Sequence, residues 1–262
     1  MPEAIYRKAF QVRAMDIDQS GRIQPVIFMD YLLESAAEHA GLFQMAVTDL
    51  FKKGLTWVLS RFHLEISRYP KWGDSVEIRT WPSARLPLFA LRDFEVVDGQ
   101  GPVATATSSW LIVDLQNKRP VRTEEHLADF PALARRALDD DFATLPALER
   151  EDAGKEFAVF FSDLDLNRHV TATVYVHRAL ESVPEEILFG FRPAGIEVNF
   201  RAEAFYGDGI LSRLEQLDGG EKPRFLHRLS RAADDKELTL LRTSWTPFMA
   251  IEKQPAPRSR PV

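Results

Sequence analysis

Alternating apolar and polar residues mark most of the chain as β-strand, because successive strand side chains point to opposite faces. Five segments of the first half follow this pattern: IYRKAFQV, WVLSRFHLEI, SVEIRTW, LFALRDFEVV and VATATSSWLIV. A longer segment, PVIFMDYLLESAAEHAGLF, is mostly apolar and carries Asp30, Glu34 and Glu38 at steps of four residues. These form a single narrow polar stripe, so the segment predicts a helix that is buried on most sides.

The second half of the chain repeats this order. EFAVFF predicts a strand, TATVYVHRALESV predicts a helix, and four further strands are predicted in GIEVNF, DGILSRLEQL, RFLHRLSRA and ELTLLRTSW. Single residues also correspond between the halves: Asp16 with Asp163, Asp18 with Asp165, Leu33-Glu34-Ser35 with Leu180-Glu181-Ser182, and Ser109-Trp110 with Ser244-Trp245. The sequence therefore predicts a tandem duplication of the α+β class, in which an antiparallel sheet wraps around a central helix in each half.

The same pattern suggests where the halves begin and end. We expect an N-terminal half over residues 1–122 and a C-terminal half over residues 156–252. The segment 123–155 between them is polar and rich in alanine and aspartate, and it predicts a linker with one short helix. The end of the chain, KQPAPRSRPV over residues 253–262, has a composition typical of a disordered tail.

Composition excludes several classes of protein. The chain is 45% hydrophobic, enough for a core, but it has no run of about 18 apolar residues that could span a membrane. Its net charge of -6 disfavours a general nucleic-acid binder. The absence of cysteine excludes disulfides, thiolate metal sites and a cysteine nucleophile. The first residues lack the apolar core of a signal peptide, and we expect a cytoplasmic protein.

The segment SDLDLNRHV places Asp163, Asp165, Asn167 and His169 at alternate positions. Asp163 on its own is typical of a turn cap. The other three correspond to Asp18, Ser20 and Arg22 in the first half. If these residues only stabilised a turn that both halves share, there would be less reason for the two halves to differ at these positions. We therefore interpret Asp165, Asn167 and His169 as candidate functional residues.

A metal site is disfavoured by the spacing of these residues. A calcium-binding loop needs glycine at its sixth position and glutamate at its twelfth, and this chain has Arg168 and Val174 there. The remaining histidines lack the paired spacing of metal ligands. We expect neither a metal nor a cofactor.

Glu203 is a further candidate, in NFRAEAF just before a Gly-Asp turn. Its counterpart in the first half is Tyr69, so this position also differs between the copies. A carboxylate can act as a general base toward water.

Several stretches resemble the acyl-acyl-carrier-protein thioesterases, double-hotdog enzymes of plants and bacteria. They are YLLESAAEHAGL, WVLSRFHLEISRYPKWGDSVEIRTWP and TSSWLIVD in the first half, and SDLDLNRHV and NFRAEAFYGD in the second. The resemblance spans nearly the whole chain outside the linker and tail. The chain departs from it at HVTA, where the family usually has HVNN, and at Ala204, where plant members often have cysteine.

The resemblance implies hydrolysis of fatty acyl-carrier protein to free fatty acid and carrier protein, which ends fatty acid synthesis. It makes Glu203 the first choice for general base, with Asp165 as its rival or partner. Asn167 would orient the water or the carbonyl group, and His169 would position the carboxylate or protonate the leaving thiolate. The helix after His169, capped by Thr171, would offer backbone N–H groups to the developing oxyanion, and Thr171 would be a substrate-binding residue there.

The resemblance also assigns binding roles. Helix residues of the first half, Ile27, Met29 and Leu33 among them, would line an apolar slot for the acyl chain. The first half would carry no second catalytic site. Carrier protein is acidic, so docking needs a local basic face, for which the candidates are Arg61, Arg68, Lys71, Arg201 and Arg224. The resemblance further allows a homodimer.

Other functions stay open. The chain could be a different hotdog enzyme, an acyl-CoA thioesterase or a dehydratase, and the full-length likeness disfavours the dehydratase. It could also be a non-catalytic acyl-binding hotdog protein, which the set Asp165, Asn167, His169 and Glu203 disfavours.

Overall fold

The computed structural model describes residues 3–127 and 130–248. Within them, ten strands form one antiparallel sheet in the order β1-β3-β4-β5-β2-β7-β10-β9-β8-β6. The strands are β1 (Tyr6–Gln11), β2 (Leu55–Ile66), β3 (Ser75–Arg85), β4 (Phe89–Asp98), β5 (Gly101–Asp114), β6 (Ala153–Ala158), β7 (Phe191–Phe200), β8 (Gly209–Asp218), β9 (Arg224–Arg231) and β10 (Glu237–Pro247). The segment 253–262, predicted to be a disordered tail, lies outside the described residues.

Five α-helices accompany the sheet in the described residues. They are α1 (Pro25–Gly41), α2 (Val47–Phe51), α3 (Thr123–His126), α4 (Ala172–Leu180) and α5 (Glu185–Gly190), and one 3₁₀ turn covers Phe161–Asp163. Helix α1 begins at a proline, which suits the first turn of a helix because its missing N–H would have no partner there. Helices α2 and α5 were not predicted, because five or six residues are too few to show a helical period.

The two halves join where β2 pairs with β7, from Arg61 opposite Asn199 to Glu65 opposite Gly195. Helix α1 packs against β3 and also against α4. One hydrophobic core runs through both halves and includes Leu32, Phe62, Val176 and Val198. The predicted arrangement, an antiparallel sheet with a central helix in each half, is therefore present.

The segment between the halves packs on the sheet. Asn199 Oδ1 on β7 accepts a hydrogen bond from Leu145 N (3.0 Å), and His63 Nδ1 on β2 lies 2.7 Å from Asp140 Oδ2. Strand β6 begins at Ala153, inside the predicted linker of residues 123–155, and pairs with Leu214 of β8. The sheet of the second half thus starts before residue 156.

None of the helices in the described part of the chain is long and apolar enough to cross a membrane.

The core gives a stability prediction. Phe62 on β2 is 1% exposed and its ring centroid lies 6.3 Å from that of Phe94. We expect Phe62→Ala to lower the free energy of unfolding by about 3–5 kcal/mol, because it removes buried surface and leaves a cavity. Phe189→Ala, at a position 57% exposed, should change it by less than about 0.5 kcal/mol. Urea unfolding checks both, and equal effects of the two changes would contradict the described core.

Candidate active site

Asp165 organises the loop that precedes α4. Its Oδ1 accepts hydrogen bonds from Asn167 N (2.8 Å) and His169 N (3.2 Å), and its own backbone N donates to His169 O (2.8 Å). Arg168 adopts the left-handed conformation with φ 62°, which closes the loop. Aspartate favours such turns because its side chain can accept bonds from the backbone a few residues on. The Asp165 carboxylate therefore positions the loop that carries Asn167 and His169.

A second segment brings Glu203 to this loop. Val170 N donates to Ala204 O (3.0 Å), and Ala204 N donates to the Tyr175 hydroxyl on α4 (2.9 Å). As a result, Glu203 Oε1 lies 3.1 Å from His169 Nδ1. Phe205 covers the other side of the imidazole, edge to face, with 5.1 Å between ring centroids.

Asn167 links the loop to the first half of the chain. Its Oδ1 accepts a hydrogen bond from Thr56 Oγ1 on β2 (3.0 Å), and its Nδ2 donates to Asp165 Oδ2 (3.3 Å). Thr56 is buried. We did not predict Thr56, and no local pattern could have indicated it, because 111 residues separate it from Asn167. The structure thus brings together Asp165, Asn167, His169 and Glu203 and adds Thr56.

The local charges favour an ionised Glu203. The hydrogen bond from His169 is the main cause that lowers the pKa of Glu203, and partial burial opposes it. The charges of His169, Lys118 and Lys236 lower it further. The net pKa is below the ordinary value, so the carboxylate is charged at neutral pH and can accept a proton.

The start of α4 faces this region. Thr171 is the N-cap residue, but its side chain makes no capping hydrogen bond, and its backbone N donates to Asp163 O (2.9 Å). Asp163 Oδ2 accepts a bond from Phe160 N (2.9 Å). Asp163 therefore holds the 3₁₀ turn in place and contributes to the entry into α4.

The corresponding site of the first half is occupied by protein side chains. Arg192 on β7 forms an ion pair with Asp18 and also bonds to the Ser20 hydroxyl. Arg22 Nη1 donates to Tyr69 O (2.6 Å), and the buried Tyr69 hydroxyl donates to Pro193 O (2.7 Å). The Asp18 carboxylate is thus paired with a guanidinium, which opposes a role as a general base.

A largely apolar cavity of about 100 Å³ lies in the first half. Its walls include small side chains of α1 and two indoles of the sheet: Leu33, Ala36, Ala37, Ala40, Trp57 and Trp110. Trp57 directly follows Thr56 on β2, and successive side chains of a strand point to opposite faces. Of the residues proposed to bind the acyl chain, Leu33 lines this cavity. Met29 lies in the core at 2% exposure, and Ile27 packs against the core, partly buried.

Most candidates for the basic face have internal partners. Arg68 pairs with Asp98, Arg201 with Glu237, and Arg224 with Asp218. The guanidinium of Arg61 donates to the backbone and side chain of its neighbour Ser60. In the residues that the structure describes, no cluster of three or more His, Cys, Asp or Glu side chains could hold a metal ion.

Comparison with known families accounts for nearly the whole chain. Residues 3–130 match the acyl-ACP thioesterase N-terminal domain, and residues 147–247 match the acyl-ACP thioesterase C-terminal domain. A palmitoyl-acyl carrier protein thioesterase, chloroplastic, from Cuphea hookeriana is 29% identical over 93% of this chain and 62% of its own length. A dodecanoyl-[acyl-carrier-protein] hydrolase, chloroplastic, from Cinnamomum camphora is 26% identical over 97% of this chain and 72% of its own length. The chain thus spans less than two thirds of the Cuphea relative.

Solved structures agree with the fold. A 12:0-ACP thioesterase from Umbellularia californica superposes with a TM-score of 0.82 at 22% identity, covering 94% of this chain and 95% of that one. An acyl-ACP thioesterase from Bacteroides thetaiotaomicron superposes with a TM-score of 0.82 at 21% identity, and the match covers 92% of this chain and 98% of that one. The predicted double-hotdog fold is confirmed.

The contact between His169 and Glu203 generates a titration prediction. Removing the imidazole in His169→Ala should raise the pKa of the Glu203 carboxyl toward its ordinary value of 4.5, because the carboxylate loses its hydrogen-bond donor. Carbon NMR of labelled glutamate measures this pKa in both proteins. Lys222→Gln, which removes an exposed charge far from the site, is the control and should leave the pKa unchanged. An identical pKa in wild type and His169→Ala would contradict the described contact.

Proposed function

Because the chain belongs to the acyl-ACP thioesterase family, we propose that it hydrolyses fatty acyl-carrier protein to free fatty acid and carrier protein, ending fatty acid synthesis. The observation that carries this proposal is the contact between His169 Nδ1 and Glu203 Oε1 (3.1 Å). This contact pairs the ionised carboxylate of Glu203 with the imidazole of His169, which can hold or pass on a proton. Beside them, the side-chain amide of Asn167 is fixed by Thr56 from the other half of the chain.

In this proposal, Glu203 takes a proton from a water molecule, whose oxygen attacks the thioester carbon. A carbon–oxygen bond forms and the carbonyl electrons move to oxygen. The first backbone N–H groups of α4 stabilise the resulting oxyanion, helped by the positive end of the helix dipole. The intermediate then collapses and the carbon–sulfur bond breaks. The proton taken by Glu203 passes through His169 to the departing thiolate.

The remaining residues position these groups. Asp165 accepts two backbone N–H bonds within its loop, which favours Glu203 over Asp165 as the base. Asn167 is held by both Thr56 and Asp165, so its amide can orient the water or the carbonyl group. Thr171 is a positioning residue at the start of α4.

An acyl-CoA thioesterase is the second candidate, because coenzyme A and carrier protein present the same thioester. Turnover of matched carrier-protein and coenzyme A thioesters over a series of chain lengths decides between them. Faster turnover of carrier-protein thioesters supports our proposal, and faster turnover of coenzyme A thioesters favours the second candidate. No hydrolysis at any length would leave the non-catalytic acyl-binding protein as the better interpretation.

We propose the cytoplasm as the compartment, supported by a sequence without cysteine, which suits a reducing environment. The relatives described above are chloroplastic by name. The homodimer stays a prediction.

Removing either member of the proposed pair should impair catalysis. We expect Glu203→Gln and His169→Ala each to lower kcat by about 10²–10⁴-fold, the usual effect of losing a general acid or base. Asp18→Asn is the matched control in the first half, and it should change kcat little. Steady-state kinetics with an acyl-carrier-protein thioester measures all three, and circular dichroism checks the fold. Near wild-type kcat in either site variant would remove that residue from the mechanism.

Filling the cavity should alter chain-length preference. Ala40 lines its wall, and Ala40→Leu would take space from the end of the acyl chain. Each methylene that loses burial costs about 0.8 kcal/mol, so the variant should prefer shorter chains than wild type. Values of kcat/KM across a chain-length series test this. An unchanged profile in a folded variant would place the acyl chain elsewhere.

A further inference from the structure

The surface around His169 and Glu203, called here the opening of the candidate active site, carries exposed cations that have no carboxylate at ion-pair distance in the described residues. Lys118, Arg168 and Lys236 are exposed, and within the described part of the chain none of them has a carboxylate at ion-pair distance. Elsewhere in the described residues most guanidinium groups are paired, including three of the four arginines that the sequence had suggested for docking. Three positive charges without a carboxylate partner are therefore exposed at this opening, although the chain as a whole is acidic.

The three cations come from separate parts of the chain. Lys118 lies in the turn after β5, which reaches β2 beside Thr56 through a bond from Leu115 N to Gly54 O (2.9 Å). Arg168 stands between Asn167 and His169 in the site loop. Lys236 lies in the turn between β9 and β10. Arg231 N donates to Lys236 O (2.9 Å) and Arg231 Nη2 donates to Glu203 O (3.0 Å), so the turn that carries Lys236 lies beside the Glu203 segment. The charges of Lys118 and Lys236 also lower the pKa of Glu203.

Acidic residues near Lys236 do not cancel its charge. Asp234 pairs with Arg231, and Asp235 pairs with both Arg213 and Arg228. Asp208 is also close to Arg231, and Glu237 pairs with Arg201 and Arg228. The carboxylates at the opening have other partners within the protein. Asp114 and Asp165 accept hydrogen bonds from backbone N–H groups of their own turns, and Glu203 contacts His169.

Exposed apolar side chains lie in the segments that surround the Glu203 segment. Phe161 is 82% exposed and Leu166 is 73% exposed. The segments that carry them are joined to the Glu203 segment by backbone bonds, from Val159 N to Asp208 O (2.9 Å) and from Val170 N to Ala204 O (3.0 Å). Large apolar side chains exposed beside a site are typical of a contact surface for another protein.

We propose that Lys118, Arg168 and Lys236, with Phe161 and Leu166, form the docking surface for the carrier protein. This proposal rests on the proposed function. The partner's chemistry follows from charge complementarity: an acidic protein is attracted by unpaired cations, and apolar contacts then hold it. Docking at the opening delivers the thioester directly to His169 and Glu203.

The test compares one acyl group on two carriers, the carrier protein and a small pantetheine thioester that lacks a protein. The triple variant Lys118→Gln, Arg168→Asn, Lys236→Gln should raise KM for the carrier-protein substrate by about tenfold or more. Asparagine at position 168 tolerates the left-handed backbone. The ratio of kcat/KM between the two substrates cancels any effect of the lost charges on Glu203, and this ratio should fall by the same factor.

Lys222→Gln is the matched control, because Lys222 is exposed, lacks an ion-pair partner among the described residues and lies at the opposite end of β9 from Lys236. It should leave the ratio unchanged. Added salt should raise the KM of the wild type for the carrier-protein substrate, because salt screens the attraction between charges. It should raise the KM of the triple variant less, because that variant lacks the three cations. Phe161→Ser tests the apolar part separately and should also lower the ratio.

Two outcomes would overturn the docking surface: a triple variant whose kcat/KM ratio is unchanged, as an equal loss on both substrates would give, or a Lys222→Gln variant whose ratio falls as much as that of the triple variant. Binding of carrier protein that bears a non-hydrolysable acyl thioether, measured by calorimetry, gives a readout that needs no turnover. If no thioester is hydrolysed but the triple variant still binds this probe about tenfold more weakly, the proposed function fails and the docking surface stands.

Discussion

The antiparallel pairing of β2 with β7 is the contact on which the rest of the structure depends. It joins two half-sheets into one ten-stranded sheet and lets a single core run through both halves. It also places the first residues of β2 beside the loop of the second half, where Thr56 bonds to Asn167. The candidate active site is therefore composite, and neither half by itself contains all of its contacts.

The same pairing creates a second, related position in the first half, and the carboxylates of the two positions have different partners. In the first half, Arg192 reaches across from β7 and neutralises Asp18. In the second half, the corresponding loop keeps Asp165 for its own backbone and leaves Glu203 to His169. A carboxylate paired with a permanent cation is held in its charged form, whereas one beside an imidazole can exchange a proton with it. This difference agrees with the prediction that the duplicated fold has its catalytic site in the second half.

Paired and unpaired positive charges lie in different parts of the structure. Ion pairs within the described chain engage most arginines on the strands, so the formal net charge of -6 says little about any one surface. The exposed cations without carboxylate partners include those at the opening of the site, where they also help to keep Glu203 ionised. In the first half, small residues of α1 leave an apolar cavity next to Trp57.

The sequence by itself determined the local features: the strand periods, the buried helix α1, the duplication and the loop around Asp165. Each depends on residues that are neighbours in the chain, so spacing alone carries the information. Only the tertiary structure decided the bond from Thr56 to Asn167, the ion pair of Arg192 with Asp18, the packing of the linker on β2 and β7, and which arginines are already paired. These contacts join residues far apart in sequence, and strand register and the direction of each side chain determine them. A periodic pattern shows which face a residue occupies but cannot show which residue lies opposite it.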